Sequence, residues 1–185
     1  MSYKDLFKRL FRILANPKKA WTEITVESPR RDVLATFVYP LIALCGLAVL
    51  LSAFMHDGLK REVYQPALMD MLSCCIALFG GFFLASYLSN LIGRNMLGKA
   101  DNIELNRQLV GYAMVVIFVL EIISGLFTLS ILHWILQFYT VFVVYEGARI
   151  LMQIDEKDLT RFSLIISIII IVCPAIISTV FNKFI

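Results

Sequence analysis

Charge is scarce in this sequence. Only 17% of its 185 residues are charged, where a soluble domain carries about a quarter. Histidine is scarcer still. His56 and His133 are the only two, and neither has neighbours at metal-ligand spacing, which argues against a zinc site. The four cysteines, Cys45, Cys74, Cys75 and Cys173, all lie inside apolar runs. Their placement excludes a disulfide framework, and they read as small buried apolar side chains. No GxSxG elbow, phosphate-binding loop or dinucleotide fingerprint occurs, and Gly98-Lys99 stands without the rest of a phosphate loop. A basic face with base-reading side chains, which nucleic acid would require, is missing as well. The chain therefore reads as a protein that is not an enzyme, with no cofactor, no metal and no nucleic-acid partner.

What the chain has instead is apolar length. Hydrophobic residues make up 59% of it, and the mean hydropathy is +0.80. The apolar residues gather into runs at about 33–55, 67–92, 108–128, 134–152 and 162–181. A run of about 20 such residues crosses the hydrocarbon core as a helix, and a helix satisfies its own backbone where no water can. The expected fold is all-α: a polytopic integral membrane bundle of about five transmembrane helices over residues 31–185. An interfacial or cytoplasmic amphipathic segment over 1–30 precedes it. Pro40 and Pro174 fall inside the first and last runs and predict kinks. Polar loops are expected at 56–66 and 93–107, and at QIDEKDLT after the fourth run. The turn between the third and fourth runs carries no charge, so a re-entrant hairpin is the alternative there.

Residues 3–14 repeat apolar side chains at helical three-and-four spacing, with Lys4, Asp5, Lys8, Arg9 and Arg12 on the other face. Such a basic amphipathic helix suits a membrane interface, its cations against anionic headgroups. Packing on the protein's own cytoplasmic surface is the competing reading. A signal peptide would need an unbroken apolar core and a small-residue cleavage site, and this stretch offers neither. Asn16-Pro17 marks a second helix start. On that second helix Trp21 is the residue type that anchors at an interface. Orientation follows from the cations. Eight precede the first run, three lie in the second loop and three (Arg149, Lys157 and Arg161) lie at the end of the fourth run or after it, against three on the opposite side. That segregation predicts five spans, a cytoplasmic N-terminus and an outside C-terminus.

Two patterns inside the runs carry further expectations. Ser73, Ala77, Gly81, Ala85 and Ser89 place a small residue at every fourth position of the second run. In a bilayer such a stripe lets helices approach closely, either within the chain or between copies, so a homo-oligomer is open. Ionisable residues in the runs are few. Glu146 and Arg149 are spaced to pair along one helix. Glu121 lies deep in the third run, where a charged carboxylate is costly unless it is neutral, paired or beside water. Asp70, His133 and Gln137 are expected in the same outer half of the bundle, where with Glu121 they would form a polar pocket for a cation or proton.

Three stretches give the chain a resemblance. ILANPKKAWTEI (Ile13 to Ile24), LGKADNIELNRQLVGYA (Leu97 to Ala113) and VVYEGARIL (Val143 to Leu151) resemble the YIP family, membrane proteins named for interaction with Ypt/Rab GTPases, and its bacterial branch in particular. Where members often have a proline after the tyrosine-alanine, this chain has Met114-Val115-Val116. The resemblance implies five helices, a cytoplasmic N-terminus, the bacterial cytoplasmic membrane, and a role in membrane organisation or trafficking with no defined reaction. A non-enzymatic scaffold or recruiter of partners is thus the first functional expectation. A small transporter or channel subunit using Glu121 is the alternative, and a lipid-directed enzyme stands third.

Overall fold

The computed structural model describes residues 3–27, 32–58, 61–98, 100–126 and 130–183; for 3, 57, 125, 126 and 130–135 it gives the backbone alone. The described residues are helical with short connections and contain no strand. In chain order the helices are α1 (Tyr3–Ala15), α2 (Pro17–Glu27), α3 (Tyr39–Asp57), α4 (Arg61–Leu97), α5 (Ile103–Ala113), α6 (Val115–Leu126), α7 (Ser130–Ile150) and α8 (Glu156–Asn182). Among the described residues four helical paths are long and apolar enough to cross a membrane: Leu34–His56, Arg61–Leu97, Ile103–Ser124 and Glu156–Asn182. Helix α7, with 21 residues, packs beside them against α8, α6 and α2.

The surface is that of a protein made for lipid. On α8, Leu164, Ile168, Val172, Ile176 and Val180 recur every fourth residue and are all exposed; Leu68, Leu72 and Ile76 do the same on α4. Stripes of this kind would aggregate in water and are at home against acyl chains. The Ile103–Ser124 path is the exception. Two-thirds of its apolar window (67%) is buried inside the protein, against 28–39% for the other three. It is the central helix of the bundle.

Local chemistry explains how the helices begin and bend. Asn16 caps α2, its side-chain oxygen accepting from the Lys19 backbone N–H at 3.1 Å, and Pro17 takes the first helical position, where a missing N–H costs nothing. The kink expected at Pro40 takes the form of a π-helical stretch, Leu34–Val38, just before it; Tyr39 N–H bonds back to the Leu34 carbonyl. Asn102 caps α5 by accepting from Leu105 N–H at 3.0 Å. The central path breaks at Met114, between α5 and α6.

The helices outrun the apolar runs. The loop expected over 56–66 shrinks, because α3 continues to Asp57 and α4 begins at Arg61 with Pro66 inside it. At about 1.5 Å per residue, the 37 residues of α4 are longer than a bilayer is thick. The loop expected over 93–107 likewise loses its ends to α4 and α5, and most of QIDEKDLT joins the first turn of α8. Polar helix ends carry no apolar period, so hydropathy alone truncates them.

Helices α4 and α8 form the most extensive contact in the molecule, running antiparallel: Ser73 donates to Asn182 Oδ1 at 2.8 Å, and Gly81 lies against Pro174. All five residues of the small-residue stripe are buried. Its mid-point faces α8 of the same chain, and its Ser89 end faces α5, where Ser89 Oγ donates to Asn106 Oδ1 at 2.7 Å.

Candidate functional site

Two regions concentrate polar chemistry. The first is the N-terminal platform. Helix α1 turns Leu6, Leu10 and Ile13 into the protein, while Phe7 and Phe11 face outward at 42% and 66% exposure. Lys4 and Lys8 are exposed beside them. Helices α1 and α2 are clasped by ion pairs from Arg9 to Glu27 and from Arg12 to Glu23. Partly exposed pairs of this kind contribute little on their own; the apolar seam between the helices does most of the holding.

The platform is fixed to the bundle by aromatic residues. Trp21 is wholly buried, and its Nε1–H donates to the Val143 carbonyl at 2.9 Å. This corrects the expectation that Trp21 anchors in the membrane interface: the indole N–H is satisfied by α7 and not by headgroups. Glycine at 147 leaves room for the indole, since a Cβ there would lie 2.7 Å from ring carbons of Trp21. Tyr112 stands edge-on to Trp21 with ring centroids 5.9 Å apart and lies 4.9 Å from Phe37. The Tyr112 hydroxyl accepts from Arg9 Nη1 at 2.9 Å, and the guanidinium also sits over the ring, 5.6 Å from its centroid. Tyr139 donates to the Leu14 carbonyl at 2.7 Å. Of the four cations assigned to the interface, Lys4 and Lys8 are free to meet lipid, whereas Arg9 and Arg12 spend their charge inside the platform.

The three stretches that carry the family resemblance meet at this junction: Trp21 from the first, Tyr112 from the second, Val143 and Gly147 from the third. The second stretch is pinned further by a network that the sequence reading missed. Asn106 Nδ2 donates to Asn90 Oδ1 at 3.2 Å, and Asn90 Nδ2 donates to Asp101 at 2.6 Å. Asparagines near a capping position were its only advance sign.

Glu146 and Arg149 do not pair. Glu146 is buried with one carboxylate oxygen lacking a hydrogen-bond partner, while Arg149 is exposed. The spacing is right for a helix pair, but the two residues straddle the edge between the packed and the free face of α7.

The second region is a cleft of about 340 Å³ reached by every long helix of the bundle. Asp70, Ser73 and Cys74 line it from α4, Glu121 from α6, Gln137 from α7 and Ser178 from α8. Asp70 is exposed, whereas Glu121 and Gln137 are half-buried, so the cleft is open on one side. Asp70, Glu121 and Gln137 therefore share one cavity. The His133 side chain lies outside the described residues. Among the described residues no group of three His, Cys, Asp or Glu side chains is placed to hold a metal ion.

Comparison with known proteins gives one match. A family model described as the Yip1 domain matches residues 11–177. No curated protein and no solved structure matches the chain.

Proposed function

This chain belongs to the Yip1 domain family of membrane proteins, and on that premise we propose that it is a non-enzymatic scaffold that organises the membrane or recruits partners to it. The observation that carries the reading is the docked platform. Helices α1 and α2 are clasped to one end of the bundle with Phe7, Phe11, Lys4 and Lys8 turned outward. Aromatic side chains flanked by lysines match the boundary between acyl chains and anionic headgroups. The same end carries the connections after α4 and after α7, to which the expected topology gives the remaining cytoplasmic cations. In this reading the platform is cytoplasmic, the bundle has five spans and the C-terminus is outside. Reporter fusions after Met55, Ile92, Ser130, Met152 and Ile185 should then alternate in location, and a cytoplasmic C-terminus would overturn the topology.

The platform has its own test in the reconstituted full-length protein. Phe11→Cys, labelled with an environment-sensitive dye in a background free of the native cysteines, should shift to the blue in anionic vesicles. Brominated lipid should quench it. Both effects should weaken as salt rises, because headgroup attraction is screened over about 10 Å at 0.1 M. Lys4→Glu with Lys8→Glu should remove the dependence on lipid charge. A dye that responds equally in neutral and anionic vesicles would reject the headgroup contact.

A further inference from the structure

The platform lies beside the membrane helices and not beyond their ends. Tyr112 receives Trp21 edge-on and Arg9 Nη1 on its hydroxyl. It follows Gly111, where a Cβ would meet Phe82 of α4. From that level the outer surface of α4 continues through Leu84 and Tyr87 to Leu91, all exposed. Leu91 is about 14 Å nearer the platform's end of the bundle at 1.5 Å per residue. Helix α8 agrees: Pro174 sits opposite Gly81, and the exposed Ile168 and Leu164 run on towards the same end. Half of a hydrocarbon core is about 15 Å, so the platform shares the depth of one leaflet. Its apolar edge also joins the lipid-facing surface sideways. Tyr139 bonds to Leu14 at the end of α1, and Phe138 and Phe142 beside it on α7 are exposed at 74% and 48%. Phe7 and Phe11 extend the row of rings that α7 presents.

Among the described residues the platform has no counterpart in the other leaflet. There α3 ends at Asp57 and α4 begins at Arg61, while α6 ends at Leu126 and α7 begins at Ser130. Neither connection has the length for a second pair of helices. Helices α1 and α2, of 13 and 11 residues, are about 20 and 16 Å long and about 10 Å wide. They add up to about 350 Å² of cross-section to one leaflet alone.

We propose that the platform reads membrane curvature, and that its partner is a convex, anionic lipid surface. A convex leaflet spreads its headgroups and opens gaps that reach the acyl chains. Phe7 and Phe11 are exposed at the edge of α1 to fill such gaps, and Lys4 and Lys8 beside them hold the headgroups at the rim. The binding of interfacial helices varies with curvature and lipid composition on these grounds. A concave leaflet is crowded at the same depth and resists the added cross-section. The inference rests on the lipid contact proposed above for the platform, and adds a preference between membranes of equal charge.

The test uses the full-length protein, labelled at its N-terminus and reconstituted into giant vesicles of one anionic composition. Narrow tubes are drawn from the vesicles, and protein density in the tube is compared with that in the parent membrane. An impermeant external quencher separates molecules with the platform on the outer, convex leaflet from those with it on the inner one. Outward molecules should be enriched in the tube by at least about twofold, and inward molecules should be depleted. Phe7→Ser with Phe11→Ser should lose most of the enrichment. Both side chains are exposed, and Leu6, Leu10 and Ile13, turned into the protein, keep α1 docked. Equal density in tube and parent membrane would overturn the proposal. So would enrichment of both orientations alike, or full enrichment of the double variant. The comparison of orientations uses the wild-type sequence, so it decides the matter even if the double variant fails to dock. The Phe11→Cys dye keeps the two readings apart. A blue shift in anionic vesicles with no preference for tubes would leave the scaffold reading standing and remove this one, whereas no blue shift would remove both.

Discussion

Gly81→Leu is expected to deprive the bundle of a stable fold in detergent. A Cβ at position 81 would lie 2.6 Å from Pro174 Cγ and 2.8 Å from its Cα and N. Two of those three atoms are backbone, so no rotamer change on α8 can move them aside. Proline makes the contact stiffer still, because its ring is closed onto the nitrogen. Overpacking a well-packed interior costs about 1–3 kcal/mol when side chains can adjust. Here adjustment means separating α4 from α8, the largest helix contact in the molecule, and the expected loss is at or above the top of that range. Gly93 supplies the comparison, since a Cβ there meets nothing within 4 Å. Gly81→Ala should lower the melting temperature, while Gly93→Ala should hold or raise it, alanine being the better helix former by up to about 1 kcal/mol. Equal melting temperatures for Gly81→Leu and wild type would mean that α4 and α8 do not meet at Gly81 and Pro174.

The same pair shows what hydropathy can and cannot deliver. Small residues at every fourth position announce a close helix contact from sequence alone, because only size and period are involved. The partner is not announced: Pro174 reads from sequence as a kink, and only the fold reveals that its ring fills the space Gly81 leaves open. Helix existence was legible throughout, since bilayer thickness dictates run length. Helix ends were not. Residues 61–66 and 93–97 belong to α4 although they are mixed in polarity, and Pro66 sits near enough to the start that few ladder bonds are affected.

Site residues divide along similar lines. Asp70, Glu121 and Gln137 line one cavity, and the side chain of His133, expected with them, lies outside the described residues. Glu146 and Arg149 were paired wrongly. Residues three apart differ by about 60° around a helix, enough to cross from a packed face to a free one. Trp21 was misplaced because an amphipathic helix presents an interfacial tryptophan and a buried one on the same side. What decides between them is the receiving surface, and here that surface is Gly147, 126 positions further along the chain.

Trp21→Ala is therefore expected to release the N-terminal platform while leaving the transmembrane bundle folded. Removing a fully buried tryptophan costs about 3–5 kcal/mol, a sum of lost area, lost packing and the cavity left behind. In this molecule the loss falls mainly on docking. The indole is the largest α2 side chain buried in the bundle, its N–H bond to Val143 reaches α7, and its ring packs edge-on to Tyr112. The bundle itself keeps the α4–α8 contact, in which position 21 takes no part, and the central helix loses one ring contact at Tyr112 while its other packing remains. Divided between docked and undocked states, a loss of that size shifts the ratio by about a hundredfold or more. Trypsin should then cut after Lys18 or Lys19 much faster in the variant than in wild type, whereas the melting temperature of the bundle should change little. Gly147→Leu attacks the same junction from the other side and should give the same cleavage pattern, because its side chain would enter the volume the indole occupies. Trp21→Phe should fall between, keeping an aromatic ring but losing one hydrogen bond of about 1 kcal/mol. Cleavage of Trp21→Ala at the wild-type rate would show that the platform is held by something other than Trp21. Loss of the whole bundle would show that platform and membrane domain fold as one unit.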